Sequence, residues 1–193
     1  MKKILLLLAN GFEAYEASAF TDVLGWNQLE GDGSTVVVTA GLHKELKATW
    51  NFCVTPEKLL MDVNLDEFDA LAIPGGFEEA DFYDDAFSEQ FGMVIRHFND
   101  QHKPIASICV AALAVAHSGV LKERRATTYN HPTSKRLAQL ATYGINISKE
   151  RIVVDDNIIT SANPSTAMEV AFTLLEMLTS PYNTAKVKDL MGY

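Results

Sequence analysis

Hydrophobic positions in this chain alternate between short continuous runs and longer stretches with helical spacing. Lys3–Ala9 is apolar at almost every position and ends at Asn10-Gly11, which is typical of a strand buried on both faces of a parallel sheet. In Glu16–Leu29 the apolar residues recur three and four positions apart, which predicts a helix with one buried face. Ser34–Ala40 is β-branched at most positions and predicts a second strand.

The alternation of strand and helix continues through the rest of the chain. Leu46–Thr55 predicts only a short strand or hairpin at the edge of the sheet. The further predicted elements, in chain order, are strand Asp69–Ile73, helix Ala86–Gln101, strand Pro104–Ile108, helix Val110–Ser118, strand Ala126–Tyr129, helix Thr133–Tyr143, strands Ile152–Val154 and Ile158–Thr160, and helix Ala167–Thr179. This order predicts an α/β fold in which a mostly parallel sheet carries helices on both faces, as a three-layer sandwich. No repeat or linker divides the chain, so we expect a single domain over residues 1–193.

Composition and charge narrow the range of partners. Of the 193 residues, 48% are hydrophobic and 21% are charged, which excludes a disordered or collagen-like chain. A formal net charge of −9 would repel nucleic acid and anionic membrane surfaces, so we expect neither as a partner. The apolar run after Met1-Lys2-Lys3 is short for a secretory signal, and no run approaches the ~20 residues that cross a bilayer. We therefore expect a cytoplasmic protein.

Of the two cysteines, only Cys109 is a candidate for a chemical role. Cys53 and Cys109 lie far apart and outside any metal-ligand spacing, so we expect no disulfide, no metal site and no cofactor. Cys109 stands where a predicted strand becomes a predicted helix. The N–H groups at a helix start favour an anion and can lower a cysteine pKa from ~8.5 to ~3.5–7.5, which makes Cys109 a candidate nucleophile. The alternative is that Cys109 is a small core residue.

Other polar residues and glycines follow the predicted strands. Parallel sheets bind ligands at the carboxyl ends of their strands, where Glu16 and the pair Gly75-Gly76 would lie near Cys109. Glycine lets backbone N–H groups approach a developing oxyanion. Taken singly, Glu16 would more often be a solvated cap and Pro74-Gly75-Gly76 only a turn. The acidic stretch Glu78–Asp85 is close enough to form a rim that disfavours anionic substrates.

The order of these motifs resembles that of a known superfamily. The segments that carry the resemblance are Asn10-Gly11-Phe12-Glu13 followed by Glu16, then Asp69–Gly76, Ile105–Cys109, Ala126–Tyr129 and Ile158–Ser161. This pattern resembles the ThiJ/PfpI superfamily, which includes a parkinsonism-associated deglycase. The resemblance covers nearly the whole chain. It implies a flavodoxin-like sheet of the class I glutamine amidotransferase type, a strand-Cys-helix nucleophile elbow, a small-molecule substrate and a homodimer.

The resemblance also implies roles for individual residues. Cys109 corresponds to the elbow nucleophile and Glu16 to the acid that hydrogen-bonds it, while Gly75, Gly76 and the Val110 N–H would line an oxyanion pocket. Two anions about 4 Å apart would repel by roughly 4 kcal/mol at an effective dielectric of 20. We therefore expect the pair to share a proton, with a thiolate and a protonated Glu16 as the dominant form.

The chain departs from parts of the superfamily. Peptidase-like members carry His directly after the nucleophile, whereas this chain has Val110, which makes proteolysis doubtful. Deglycase-like and glyoxalase-like members carry His after the Thr-Thr pair, whereas this chain has Tyr129. His131 lies two residues further on and is a candidate to approach the same pocket, although it would more often be solvent-exposed. Tyr129 and His131 are therefore both candidate catalytic residues.

Three functions remain open from the sequence. The first is a cysteine-dependent enzyme acting on small reactive carbonyls, in which Cys109 attacks and Glu16 moves the proton. The second is a non-enzymatic redox sensor or stress protein in which Cys109 is oxidised to a sulfinic acid. The third is an amide or isocyanide hydrolase, which would need a better base than the chain supplies.

Overall fold

The computed structural model describes all 193 residues. The chain forms eleven β-strands: β1 (Lys2–Leu8), β2 (Thr35–Gly41), β3 (Leu46–Lys47), β4 (Cys53–Val54), β5 (Lys58–Leu59), β6 (Ala70–Ile73), β7 (Ile105–Ser107), β8 (Arg125–Ala126), β9 (Asn146–Ile147), β10 (Ile152–Asp155) and β11 (Ile158–Ser161). It forms seven α-helices: α1 (Ala14–Glu30), α2 (Phe82–Ala86), α3 (Glu89–Asp100), α4 (Ala111–His117), α5 (Arg136–Ala141), α6 (Ala167–Leu178) and α7 (Pro181–Met191).

Seven strands make up the central sheet, in the order β10-β11-β7-β6-β1-β2-β5. All neighbours in it are parallel except β10 and β11, which form an antiparallel hairpin. Ile4–Leu8 in β1 and Ala70–Ile73 in β6 are fully buried, because the sheet is covered on both faces. The prediction of a mostly parallel sheet is confirmed.

Helices cover both faces of the sheet. Helices α1, α6 and α7 pack against one another, and α2, α3 and α4 form a second group that contacts β6 and β7 through α3 and α4. The predicted three-layer sandwich is therefore confirmed, with a continuous apolar core around the sheet. None of the helices combines the length and the apolar content needed to span a bilayer.

Two predicted elements differ from the structure in their bounds or their partners. The helix predicted over Ala86–Gln101 is α3, which begins only at Glu89 because the Ser88 side chain accepts a hydrogen bond from the Phe91 N–H, and the separate short helix α2 precedes it. The hairpin predicted within Leu46–Thr55 forms, but β3 and β4 make a separate two-stranded sheet. The edge of the central sheet is β5, which pairs with β2.

Two further predictions were wrong in extent. The strand predicted over Ala126–Tyr129 is only β8, which pairs with β9 outside the central sheet. Beyond it the Thr127 N–H donates to the Thr160 hydroxyl of β11 rather than to a backbone carbonyl. The helix predicted over Thr133–Tyr143 is shortened to α5, and α7 follows the helix that was expected to close the chain.

Candidate active site

The candidate site lies where the three adjacent strands β7, β6 and β1 end. The chain leaves β1 toward β2 on one side, whereas β6 and β7 lie on the other side, so the loops after these strands diverge and leave a crevice. The loop after β1 leads to Glu16, the loop after β6 contains Gly75 and Gly76, and Cys109 follows β7. The structure thus brings together the predicted loops.

A cavity of about 520 Å³ opens at this point. Its lining residues are Glu13, Glu16, Gly76, Phe77, Glu78, Glu79, Cys109, Val110, Tyr129, Thr133, Ser134, Lys135, Arg136 and Pro164. Five of the seven sequence-predicted site residues are in this lining. Gly75, which is buried, and His131, which is exposed, are not among the lining residues.

Cys109 occupies a tight turn between β7 and α4. The Ala111 N–H donates to the Ile108 carbonyl and closes the turn, and Cys109 has a φ of 55°. A positive φ is uncommon for a residue other than glycine and is a feature of strained functional sites. The residue is 7% exposed and reaches the cavity. The predicted strand-Cys-helix elbow therefore forms, and Cys109 is neither sealed in the core nor open to bulk solvent.

Glu16 lies in the first turn of α1 and is 1% exposed. Its Oε2 accepts a hydrogen bond of 2.6 Å from the Gly75 N–H, and its side chain lines the cavity together with Cys109. A Cβ at position 75 would lie 2.9 Å from both Glu16 Oε2 and the Ile108 carbonyl oxygen. Glycine at this position therefore permits the close approach of the β6 loop to the carboxylate.

Burial controls the protonation of both groups. It raises the pKa of Glu16 from the ordinary value of 4.5 to about 8, against the hydrogen bond from Gly75 and with the help of the charge on Glu13. A pKa of about 8 favours a protonated Glu16 near neutral pH. Burial also raises the pKa of the Cys109 thiol, and an ionised Glu16 raises it further, whereas the Val110 N–H lowers it. The expected lowering of the thiol pKa, and with it a thiolate beside a protonated Glu16 as the dominant form, is not met, because desolvation by burial outweighs the hydrogen bond from the Val110 N–H.

Two backbone N–H groups are available at the cavity. Neither the Gly76 N–H nor the Val110 N–H donates to a backbone or side-chain oxygen, and both residues line the cavity beside Cys109. The Gly75 N–H was expected among these donors, but it is committed to Glu16. Of the three predicted donors, only Gly76 and Val110 therefore have N–H groups that no protein oxygen occupies.

The two candidates for the missing histidine differ in position. Tyr129 is half-buried and lines the cavity. His131 is exposed, its Nδ1 lies 2.8 Å from the Thr133 hydroxyl, and its ring stacks at 6.3 Å on Tyr129. Tyr129 therefore lines the cavity, whereas His131 contacts Tyr129 but is not part of the lining.

The rim of the cavity carries charged side chains of both signs, of which only the acidic ones were expected from the sequence. Glu13, Glu78 and Glu79 line it, as do Lys135 and Arg136. Arg136 Nη2 lies 2.7 Å from Glu78 Oε2, so one of the two cations in the lining is paired with one of its carboxylates. The acidic stretch was visible in the sequence, but no local signal places Lys135 and Arg136 opposite it. No cluster of three or more His, Cys, Asp or Glu side chains is arranged to hold a metal ion.

Comparison with known proteins places the chain in a family. The model of the DJ-1/PfpI family matches residues 2–177. The chain belongs to the DJ-1/PfpI family. It is 30% identical to DJ-1 homolog B of Arabidopsis thaliana over 90% of this chain, but spans only 37% of that protein. It is 28% identical to the deglycase PfpI of Pyrococcus furiosus over 84% of this chain and 90% of that protein.

The crystal structure of Drosophila melanogaster DJ-1beta has the same fold. It is 29% identical to this chain, the match covers 98% of this chain and 97% of the other, and the TM-score is 0.83. The flavodoxin-like arrangement of the DJ-1/PfpI sheet is thus present, and the superfamily suggested by the motif order is confirmed.

Proposed function

We propose that this protein is a cysteine-dependent enzyme that acts on small reactive carbonyl compounds, as a glyoxalase or deglycase. The observation that carries the proposal is that Cys109 and the buried Glu16 line the same cavity, next to the Gly76 N–H, which donates to no protein oxygen, and the Val110 N–H, which faces the sulfur. The name of the Pyrococcus furiosus relative, a deglycase, supports it. Because Val110 follows Cys109 where a peptidase-like histidine would stand, we do not propose proteolysis.

The geometry supports a simple first step. The reactive form of the pair carries one proton, so Glu16 accepts the thiol proton as Cys109 Sγ bonds to the carbonyl carbon. The carbonyl oxygen gains negative charge next to the N–H groups of Gly76 and Val110. Glu16 then returns the proton to this oxygen, which gives a hemithioacetal. Tyr129 adds a hydroxyl donor where other members supply an imidazole.

The test is turnover by the purified wild-type protein. Methylglyoxal and the hemithioacetal that it forms with N-acetylcysteine would be supplied separately, and the loss of carbonyl and formation of lactate would be followed against a protein-free control. We expect turnover of at least one of them that disappears after stoichiometric alkylation of Cys109. Turnover that survives the alkylation, or none with either compound, would overturn the proposal.

The charges at the rim predict a preference for uncharged carbonyls. Three carboxylates face two cations, and Arg136 is already paired with Glu78. We expect glyoxylate to be used with at least about tenfold lower kcat/KM than methylglyoxal, and Glu79→Gln to narrow that ratio by about 2–5-fold at low salt. Steady-state kinetics at two salt concentrations measure both effects. Glu176→Gln removes an exposed carboxylate outside the cavity lining and should leave the ratio unchanged; an equal change in both variants would contradict the prediction.

A redox function is the second candidate, because the same donors suit an oxidised sulfur. Two peroxide molecules would each transfer one oxygen to Cys109 Sγ and leave as water, which gives a sulfinate held by the Gly76 and Val110 N–H groups and by protonated Glu16. Mild peroxide should then add two oxygen atoms at Cys109 before the exposed Cys53 reacts. Peptide mass spectrometry measures this order, and earlier oxidation of Cys53 would contradict it.

A further inference from the structure

The main chain of Cys109 is held by side-chain hydroxyls rather than by the sheet or a helix. The Thr128 hydroxyl donates a hydrogen bond of 2.9 Å to the Cys109 carbonyl oxygen. The Cys109 N–H donates a longer bond of 3.4 Å to the Ser161 hydroxyl. No backbone N–H donates to the Cys109 carbonyl. The residue on which the proposed chemistry depends is therefore fixed at its carbonyl by one side chain.

This support matters because the conformation of Cys109 is strained. Its φ of 55° places it at the second position of the Ile108–Ala111 turn, where a positive φ favours glycine. Without an external contact, a cysteine at this position would lower its free energy by returning to a negative φ. Such a change would rotate Sγ away from the Val110 N–H and from Glu16, which are its two partners in the site.

Thr128 is itself held firmly enough to oppose this change. It is fully buried, and the preceding Thr127 N–H donates a 3.0 Å hydrogen bond to the Thr160 hydroxyl of β11. Strand β11 is the neighbour of β7, from which the cysteine turn emerges. The next residue is Tyr129, which lines the cavity. One short segment thus contacts the back of the cysteine turn and supplies a wall of the site.

We propose that Thr128 is a positioning residue whose hydroxyl, bonded to the Cys109 carbonyl, holds the strained turn that presents Sγ to the cavity. Its expected effect on kcat rests on the function proposed above. Its effect on the reactivity of the sulfur does not, because alkylation of Cys109 requires no substrate.

The chain supplies a matched control at the adjacent position. Thr127 is also fully buried, but its hydroxyl has no hydrogen-bond partner. Thr127→Val and Thr128→Val therefore make the same chemical change in neighbouring buried side chains, and only the second removes a bond to Cys109. A general loss of packing would affect the two variants alike.

The experiment compares the wild type with these variants at Cys109 itself. For Thr128→Val we expect kcat for methylglyoxal to fall by about 10- to 100-fold with KM within about threefold, because displacement of a reacting atom by about 1 Å costs a factor of this size. The pH midpoint of Cys109 alkylation by iodoacetamide, followed by peptide mass, should shift by about half a unit or more, because Sγ moves away from both Glu16, whose charge raises the thiol pKa, and the Val110 N–H, which lowers it. Thr127→Val should keep the wild-type rate and pH midpoint.

The outcomes separate this proposal from the proposed function. If the wild type does not turn over the carbonyl, the proposed function fails while the alkylation contrast still tests Thr128. A pH profile of Cys109 alkylation in Thr128→Val that matches the wild type would overturn the positioning role. So would equal shifts of this profile in both valine variants. If Thr128→Val does not fold, Thr128→Ser and Thr128→Ala give the same comparison, since they differ only in the hydroxyl. We then expect serine to restore the alkylation profile and alanine to leave it shifted, and identical profiles would overturn the proposal.

Discussion

Replacing Cys109 with alanine is expected to lower kcat/KM for a reactive carbonyl by at least about 1,000-fold. No turnover above that of the protein-free control should remain. The expectation follows from the role of the sulfur as the atom that bonds to substrate, since no other nucleophile in the cavity is paired with a buried base. Cys109→Ser should retain little of the activity, because a serine hydroxyl is a weaker nucleophile than a thiol beside the same carboxylate. Lactate formation from methylglyoxal measures the loss.

The control for this experiment is the second cysteine. Cys53 is exposed in β4 and is absent from the cavity lining, so Cys53→Ala should keep full turnover. The alanine variant at Cys109 should also keep its melting temperature to within a few degrees, because the substitution removes only the sulfur atom from a small buried side chain. Activity that depends on Cys53, or persists without Cys109, would show that the chemistry lies elsewhere.

The architecture was predictable because its signals are local and repeated. The continuous apolar run of β1, the β-branched run of β2 and the spacing of α1 each reflect burial along a single element. Their order along the chain then places Glu16, Gly76 and Cys109 at the same end of a parallel sheet. Elements with weak local signals, such as β5 and β8, depend on partners far away in the sequence and were wrong or missing.

Parts of the site could not be predicted for the same reason. The commitment of the Gly75 N–H to Glu16 and the bond from Thr128 to Cys109 join residues that are 59 and 19 positions apart. Which donor stays available depends on these pairings, and no spacing reports them. The predicted lowering of the thiol pKa considered only the neighbouring helix, whereas the observed environment is set by burial from several elements.

Glu16→Gln tests the carboxyl group in two independent ways. The folded protein holds a proton on Glu16 up to a pKa of about 8, whereas the unfolded chain releases it near 4.5. The folded state therefore binds more protons across this window, and the free energy of unfolding falls as the pH rises from 4.5 to 8, by at most about 5 kcal/mol at about 1.4 kcal/mol per pH unit. Glutamine is neutral and can still accept the Gly75 N–H. We expect the variant to unfold with a smaller pH dependence and to be more stable than the wild type at pH 8.

Activity should change in the opposite direction from stability. Wild-type kcat/KM should rise with pH around a midpoint near 8, as the pair loses one proton and gains a base, whereas Glu16→Gln should lose about 100-fold or more of the turnover and show no such rise. Alkylation of Cys109 at neutral pH should not slow, because an amide imposes no negative charge on the sulfur. Glu13→Gln removes a carboxylate from the same cavity without touching the Gly75 bond, and should only shift the midpoint downward. If Glu16→Gln instead kept its turnover while gaining stability, the buried carboxyl would only destabilise the folded protein at high pH and would take no part in proton transfer.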